Sequence, residues 1–486
     1  MTGQNPFDTI LENKVKFGRY QMITYFFMAF TTFSDGSEIV SLSILVPILQ
    51  KEWNISDTQQ GLLGTVLFTG IFLGSLLSGL VSDRFGRRQA LLYATLVQFI
   101  VGVISALISN IALFILVRGI FGLLIGFTVP LAPSMGSELT PIEYRGRGVV
   151  AINFFFSLGK LYGVIVAKFC LISLTEGNWR AMLIWSSLPS LIVWYGTWRY
   201  IKESPRFLVA AGRIHEGVEV LNHIAKENNP DTVKPISEAE KRALAEWSTK
   251  TFGDIKVEDM KSTLNVLFSE KMKKITTLLW TIWFSLNFAF YGMIFILPIM
   301  LSALDNASNS DGTSGLDGLL YTIMGELPSS VLALYIIEKE MFGRKGTILY
   351  SQAVGCVVFL LSFIGPTSYL VPMFTIARFF LKLSFAIIYP LTIELYPTSS
   401  RTSGFGFASG FGRLGASVGP QGLLWLFNAG IMVPAFGFAV ACAIQAVAAY
   451  LLPYDTRGRR LDVTEENEKH IPLNEIEDEE DNRGYH

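Results

Sequence analysis

The chain has 486 residues, 51% of them hydrophobic and 16% charged, with a formal net charge of −1. So apolar a composition at this length excludes an ordinary soluble domain, and the balanced charge argues against a nucleic-acid binder. Cys170, Cys356 and Cys442 all fall inside apolar runs, which gives neither a disulfide framework nor metal-ligand spacing and makes them buried fillers.

Residues 1–20 are polar and charged, unlike a cleavable signal peptide, so the first apolar run is expected to direct insertion itself. A helix needs about 20 apolar residues to cross roughly 30 Å of hydrocarbon. Twelve runs qualify, near 21–49, 58–81, 89–109, 111–136, 148–170 and 180–201, then 275–301, 316–337, 346–364, 370–394, 402–427 and 431–452. The expected fold is an all-α integral membrane protein with twelve transmembrane helices in two pseudo-symmetric six-helix bundles, residues 21–201 and 274–453. A helical linker, 202–273, joins them, and an acidic tail, 454–486, is expected to be disordered. In the linker, Ser204–Ala211 and Arg213–Asn228 have helical apolar spacing, and Ser237 precedes a third helix start.

Twelve crossings place both termini on one face. Lys14, Lys16, Arg19, Arg84, Arg87, Arg88, Arg145, Arg147, Arg344, Lys345, Arg401, Arg457, Arg459 and Arg460 fall on that face, whereas the opposite loops hold little beyond Lys51 and Arg180. The positive-inside rule therefore predicts cytosolic termini. The sequons at Asn54 and Asn306 fall on the outer loops, in keeping with that topology.

The halves repeat one another. Glu138-Leu139-Thr140-Pro141 leads to Arg145 as Glu394-Leu395-Tyr396-Pro397 leads to Arg401, each where an apolar run ends. Duplicated membrane folds of this kind hold a solute site between their halves.

Gly79-Leu80-Val81-Ser82-Asp83-Arg84-Phe85-Gly86-Arg87-Arg88 resembles the signature between helices 2 and 3 of the major facilitator superfamily, with a degraded counterpart at Glu340-Met341-Phe342-Gly343-Arg344-Lys345. Glu203-Ser204-Pro205-Arg206 and Pro453-Tyr454-Asp455-Thr456-Arg457-Gly458 resemble segments that follow helices 6 and 12 in sugar porters. Asp35-Gly36-Ser37-Glu38, Trp280-Thr281-Ile282-Trp283, Glu326-Leu327-Pro328 and Gly412-Arg413-Leu414-Gly415 are similar to the branch of synaptic vesicle 2-related proteins and organic-ion transporters. True hexose porters hold sugar hydroxyls with glutamines in helices 5 and 7. Here those helices offer Ser157, Lys160 and Asn287, a departure that lowers the sugar reading.

Ionisable side chains at membrane depth cost about 2.5–3.5 kcal/mol each on insertion scales, so each calls for a role. They are Asp35 and Glu38 in helix 1, Arg118 in helix 4, Lys160 in helix 5, Glu326 in helix 8, and Arg378 and Lys382 in helix 10. At about 1.5 Å of rise per residue, Asp35 and Arg118 both lie roughly 10 Å from the outer edge, which predicts a pair. The resemblance implies the same, since proton-coupled relatives set a helix 1 carboxylate against a helix 4 arginine. Asp35, Glu38 and Arg118 are therefore the expected proton-coupling residues. The depths of Glu326 and Arg378 predict a second pair, leaving Lys160 or Lys382 as counter-charge for an anionic or zwitterionic solute. The expected solute-binding set is Lys160, Arg378, Lys382, Glu326, Asn287, Tyr291 and Tyr389. Asp83 with Arg87, Glu138 with Arg145 and Glu394 with Arg401 are expected to close the inner side. Gly122, Gly126, Gly159 and Gly163 are expected to serve close helix packing, and Pro130, Pro298, Pro328 and Pro390 to bend helices.

The function expected from these residues is secondary active transport of a small organic ion by alternating access with proton symport. A sugar or polyol facilitator, and a non-transporting scaffold or receptor with a transporter fold, are the alternatives. No enzyme is expected, for want of nucleophile–base spacing, and no cofactor or metal. The expected partners are the solute, protons and the bilayer, for a monomer in the plasma membrane or an intracellular vesicle membrane.

Overall fold

The run lengths dictate the architecture. The computed structural model describes residues 6–230, 235–252, 267–270, 272–307, 315–336, 343–396 and 401–455. The first bundle is α1 (Arg19–Trp53), α2 (Asp57–Phe85), α3 (Arg87–Leu107), α4 (Ile111–Glu138), α5 (Ile142–Cys170) and α6 (Trp179–Tyr200). The second is α7 (Lys273–Ala307), α8 (Gly315–Met324 and Leu327–Ile336), α9 (Gly343–Ile364), α10 (Leu370–Leu395), α11 (Arg401–Ala429) and α12 (Val433–Leu451). Among the described residues nine helices pass a test of length and mean hydropathy for crossing a membrane. The remaining three are α6, rich in Trp, Tyr and Ser, α11, rich in Gly, and the interrupted α8.

The interruption in α8 has a local cause. Pro328 has no N–H to offer the preceding turn, and the ladder lapses just before it: the Gly325 N–H still makes an α-helical bond to Tyr321 O at 3.1 Å, but the Glu326 N–H tightens to Ile323 O, three residues back, at 3.0 Å. Glu326 is left at the corner. Helices α4, α7 and α10 run on through Pro130, Pro298 and Pro390.

Large apolar side chains point outward along the perimeter at helical spacing: Tyr93, Val97, Ile100, Ile104 and Leu107 on α3, and Phe436, Val440, Ile444, Val447 and Leu451 on α12. Such stripes face acyl chains rather than water. Helices α1 and α7 are the exception, since 94% and 89% of their most apolar windows are buried, against 39–56% for the other candidate spans. They form the core of the assembly.

The two bundles share one packing plan. α1 lies on α5 as α7 lies on α11, α2 on α4 as α8 on α10, and α3 on α6 as α9 on α12. Glycines set the spacing: a Cβ on Gly159 would overlap the carbonyl oxygen of Phe33, and one on Gly122 that of Leu67. The bundles meet where α1 packs on α7, α2 on α11 and α5 on α8.

The linker forms Pro205–Ala210, Ile214–Asn228 and Glu238–Phe252. Ser204 caps the first of these helices through the Phe207 N–H at 3.2 Å, and Ser237 exchanges hydrogen bonds with Glu240 ahead of the third. They pack with the helical turns of Pro6–Val15: Phe7 stacks on Trp247 at 6.1 Å, Lys14 pairs with Glu240 at 2.6 Å, and the Asn228 amide donates to Val15 O.

Candidate functional site

Charged side chains converge where the bundles meet. Asp35, Glu38, Arg118, Lys160, Glu326, Arg378 and Lys382 are all buried, none more than 2% exposed. The interior therefore holds ions that water cannot solvate, and partners must compensate them.

The first bundle supplies one cluster. Arg118 Nη1 donates to Glu38 Oε2 at 3.3 Å, and Ser187 of α6 donates to the other carboxylate oxygen. The Arg118 guanidinium lies 5.1 Å from the rings of both Phe114 and Phe121, and its Nε and Nη2 have no hydrogen-bond partner among the described residues. The expected Asp35–Arg118 pair is not formed. Matched depth did not decide the partner, because Glu38, three residues on, presents its longer carboxylate to α4. Asp35 instead accepts from Gln98 Nε2 of α3 at 3.1 Å and from Thr128 Oγ1 of α4 at 3.4 Å, both neutral donors.

The second cluster spans the seam. Glu326, at the break in α8, takes Lys160 of α5 on Oε2, which also accepts from Ser157 Oγ at 3.3 Å. Arg378 Nε of α10 lies 2.7 Å from Oε1, a charge contact whose N–H is not aimed along the line of a hydrogen bond. The Glu326–Arg378 contact agrees with the sequence reading. Lys160 does not stand free for a solute, because an acid at the α8 corner reaches it from the opposite bundle.

That leaves Lys382. Its only hydrogen bond among the described residues is a long one, 3.4 Å to Asn153 O, and its ammonium lies 5.8–5.9 Å from the rings of Phe156, Phe290 and Phe385. Arg413 of α11 stands nearby on the same aromatic group. Its Nη1 donates to the Tyr291 hydroxyl at 3.2 Å, and Tyr291 meets Phe385 at 6.2 Å between ring centroids. Arg413 is also close enough to act electrostatically on Asp35 across the seam. The list of charges read from the sequence omitted Arg413, although a lone base about 18 Å into a helix is itself a signal. Gln98 and Thr128 carried no signal, since polar side chains recur along these helices.

Tyr389 sits among Trp283, Phe385 and Phe405, with centroids 5.1–5.8 Å away. Asn287 turns its amide back to Trp283 O of its own helix at 2.8 Å.

The expected closing residues form a second symmetric set at the terminal face. Arg87 pairs with Asp83 and lies 3.4 Å from Glu138, while Arg344 lies 2.7 Å from Glu394. Glu138 and Glu394 thus meet the arginines that open α3 and α9, and the side chains of Arg145 and Arg401 lie outside the described residues. Carboxylates cap both helices. Glu203 accepts from the Arg88 N–H at 3.0 Å, and Asp455 from those of Arg344 and Lys345 at 3.2 and 2.8 Å. Each carboxylate occupies the space a Cβ would take on Gly86 or Gly343, both of which have positive φ, 98° and 57°. The second-half signature, degraded at Glu340 and Met341, keeps the residues that make these contacts.

Two six-helix bundles with buried charges at their seam define a membrane transporter of the major facilitator fold. The profile of the sugar (and other) transporter family matches residues 16–467, and the chain belongs to that family. It is 30% identical to the synaptic vesicle 2-related protein of Xenopus laevis over 467 residues, 92% of this chain and 80% of that one. It is 26% identical over 484 residues to organic cation/carnitine transporter 7 of Arabidopsis thaliana, 92% and 93% of the two chains. A partially occluded inward-open structure of the xylose transporter XylE from E. coli superposes with a TM-score of 0.70 at 19% identity, covering 91% of this chain and all of that one. The protein is a multi-pass membrane transporter and not an enzyme.

Proposed function

We propose that this transporter moves a small organic anion or zwitterion by alternating access, coupled to protons. One observation carries the reading. The middle of the membrane holds five bases, Arg118, Lys160, Arg378, Lys382 and Arg413, against three acids, Asp35, Glu38 and Glu326. Lys382 and Arg413 have no carboxylate within ion-pair reach among the described residues. Two such cations beside Tyr291, Phe290 and Phe385 suit a carboxylate on an apolar or aromatic body. A zwitterion fits the same place, and carnitine, which the name of the Arabidopsis relative includes, carries a carboxylate beside its ammonium. A sugar fits poorly, because Asn287 spends its amide on its own helix.

Asp35 is the proposed proton carrier. Its donors are neutral, so it can gain or lose a proton without breaking an ion pair. Arg87–Glu138 and Arg344–Glu394 are the proposed closing contacts. The basic terminal face is assigned to the cytosol by the positive-inside rule, and the kinship with vesicle proteins favours a vesicle or plasma membrane.

A thermal-shift screen of the purified protein against organic acids, zwitterions, amines and sugars tests the reading. Carboxylate-bearing compounds should stabilise the parent and not Lys382→Gln or Arg413→Gln. Stabilisation by sugars alone would refute it.

A further inference from the structure

Glu326 is held from two sides that must separate during transport. Lys160 and Ser157 reach its Oε2 from α5 of the first bundle, whereas Arg378 approaches Oε1 from α10 of its own bundle. All three charged groups are buried, so no water screens the contact. The distal half of the seam, away from the termini, is shut around this cluster. There Lys168 pairs with Asp317, and Asn428 Nδ2 donates to Asp57 Oδ2 at 3.0 Å. Gln421 and Pro420 of α11 fill the space beside Gly61 and Gly64 of α2.

Alternating access requires this half to part. As α5 leaves α8, Glu326 retains Arg378 and Lys160 loses the one carboxylate paired with it among the described residues. A buried ammonium without an anion is costly, so the parted seam presents Lys160 as a vacant binding group. On reclosure the Glu326 carboxylate returns to the same ammonium.

We infer that Glu326 is an internal substitute for the anionic group of the cargo: the two compete for Lys160, and closure of the distal half ejects the cargo's anion toward the opposite face. This rests on the anion reading above, and it adds a cause for unloading. It also explains why a carboxylate stands at the corner of a broken helix, where it can be offered to the other bundle without belonging to a helical ladder.

The test uses the full chain in proteoliposomes, with the three native cysteines replaced by serine and Leu174→Cys placed at the distal lip, where Leu174 is buried against Gly315 of α8. Labelling by a membrane-impermeant maleimide reports opening. Glu326→Gln and Lys160→Gln should each raise the labelling rate severalfold, and the double variant should rise no further than either alone. Acetate, as the carboxylate probe, should speed labelling of the parent and leave Lys160→Gln unchanged. Should Glu326→Gln not fold, Glu326→Asp, which keeps a charge by Arg378 but shortens the reach to α5, should shift labelling in the same direction. Unaltered labelling in the Glu326 variants, or additive singles, would overturn the inference. So would an acetate response that Lys160→Gln retains, an outcome that leaves the anion reading intact. No acetate response in the parent would overturn both.

Discussion

Arg118 reaches Glu38 and not Asp35, although both acids lie on α1 within one helical turn. That choice leaves the two acids in different surroundings. Glu38 neutralises a buried base and holds α4 and α6 to α1, while Asp35 meets neutral donors, as the proposed proton carrier requires.

If Glu38 is structural, breaking the pair from either side exposes a lone buried charge. Arg118→Leu should destabilise the protein by about 3–5 kcal/mol. The double variant Arg118→Leu/Glu38→Gln should recover most of that loss. Thermal unfolding in detergent checks both, and a double variant no better than the single would show the pair to be unimportant.

Asp35→Asn should abolish accumulation of cargo against its gradient and spare exchange. The neutral amide preserves contacts with Gln98 and Thr128 but has no proton to carry. Uptake into vesicles with and without an imposed pH gradient measures this. Accumulation that still follows the gradient in the variant would exclude Asp35 as the carrier.

Lys382→Gln and Arg413→Gln should each weaken binding of a carboxylate cargo by about 10–100-fold, the worth of a charge-assisted hydrogen bond of about 1.5–3 kcal/mol. Tyr291→Phe, which removes only the hydroxyl that Arg413 meets, should cost less. Isothermal titration of the cargo found by the thermal screen gives the three values. Equal losses for a neutral analogue would point to damaged packing.

Arg87→Gln and Arg344→Gln should slow turnover while leaving cargo affinity within about twofold, since both arginines lie at the terminal face, away from the proposed solute site. Initial rates set against equilibrium binding separate the two quantities. Loss of affinity without loss of rate would assign these residues elsewhere.

The helices were legible because membrane crossing imposes a length and an apolar content that the sequence displays openly. Even the linker caps, Ser204 and Ser237, could be read from residue type. Pairing was less legible. Depth along a helix follows from counting residues, but azimuth and side-chain reach do not. So Glu38 took the Arg118 partner expected for Asp35, and Lys160, expected to face the cargo, was found engaged by an acid from the other bundle. Arg413 was visible as a charge and was absorbed into a glycine-rich motif. Repetition told more than single residues did, for Glu138 and Glu394 turned out to occupy equivalent places, beside Arg87 and Arg344.

The carboxylates capping α3 and α9 have a mechanical consequence. Glu203 follows directly on the last helix of the first bundle and Asp455 on that of the second, and each ties its segment back to the third helix of the same six. Each half is thereby buckled onto itself at the place where its polypeptide departs. For the second half to unravel from that end, Asp455 would first have to leave the N-terminus of α9, as Glu203 would have to leave that of α3 in the first.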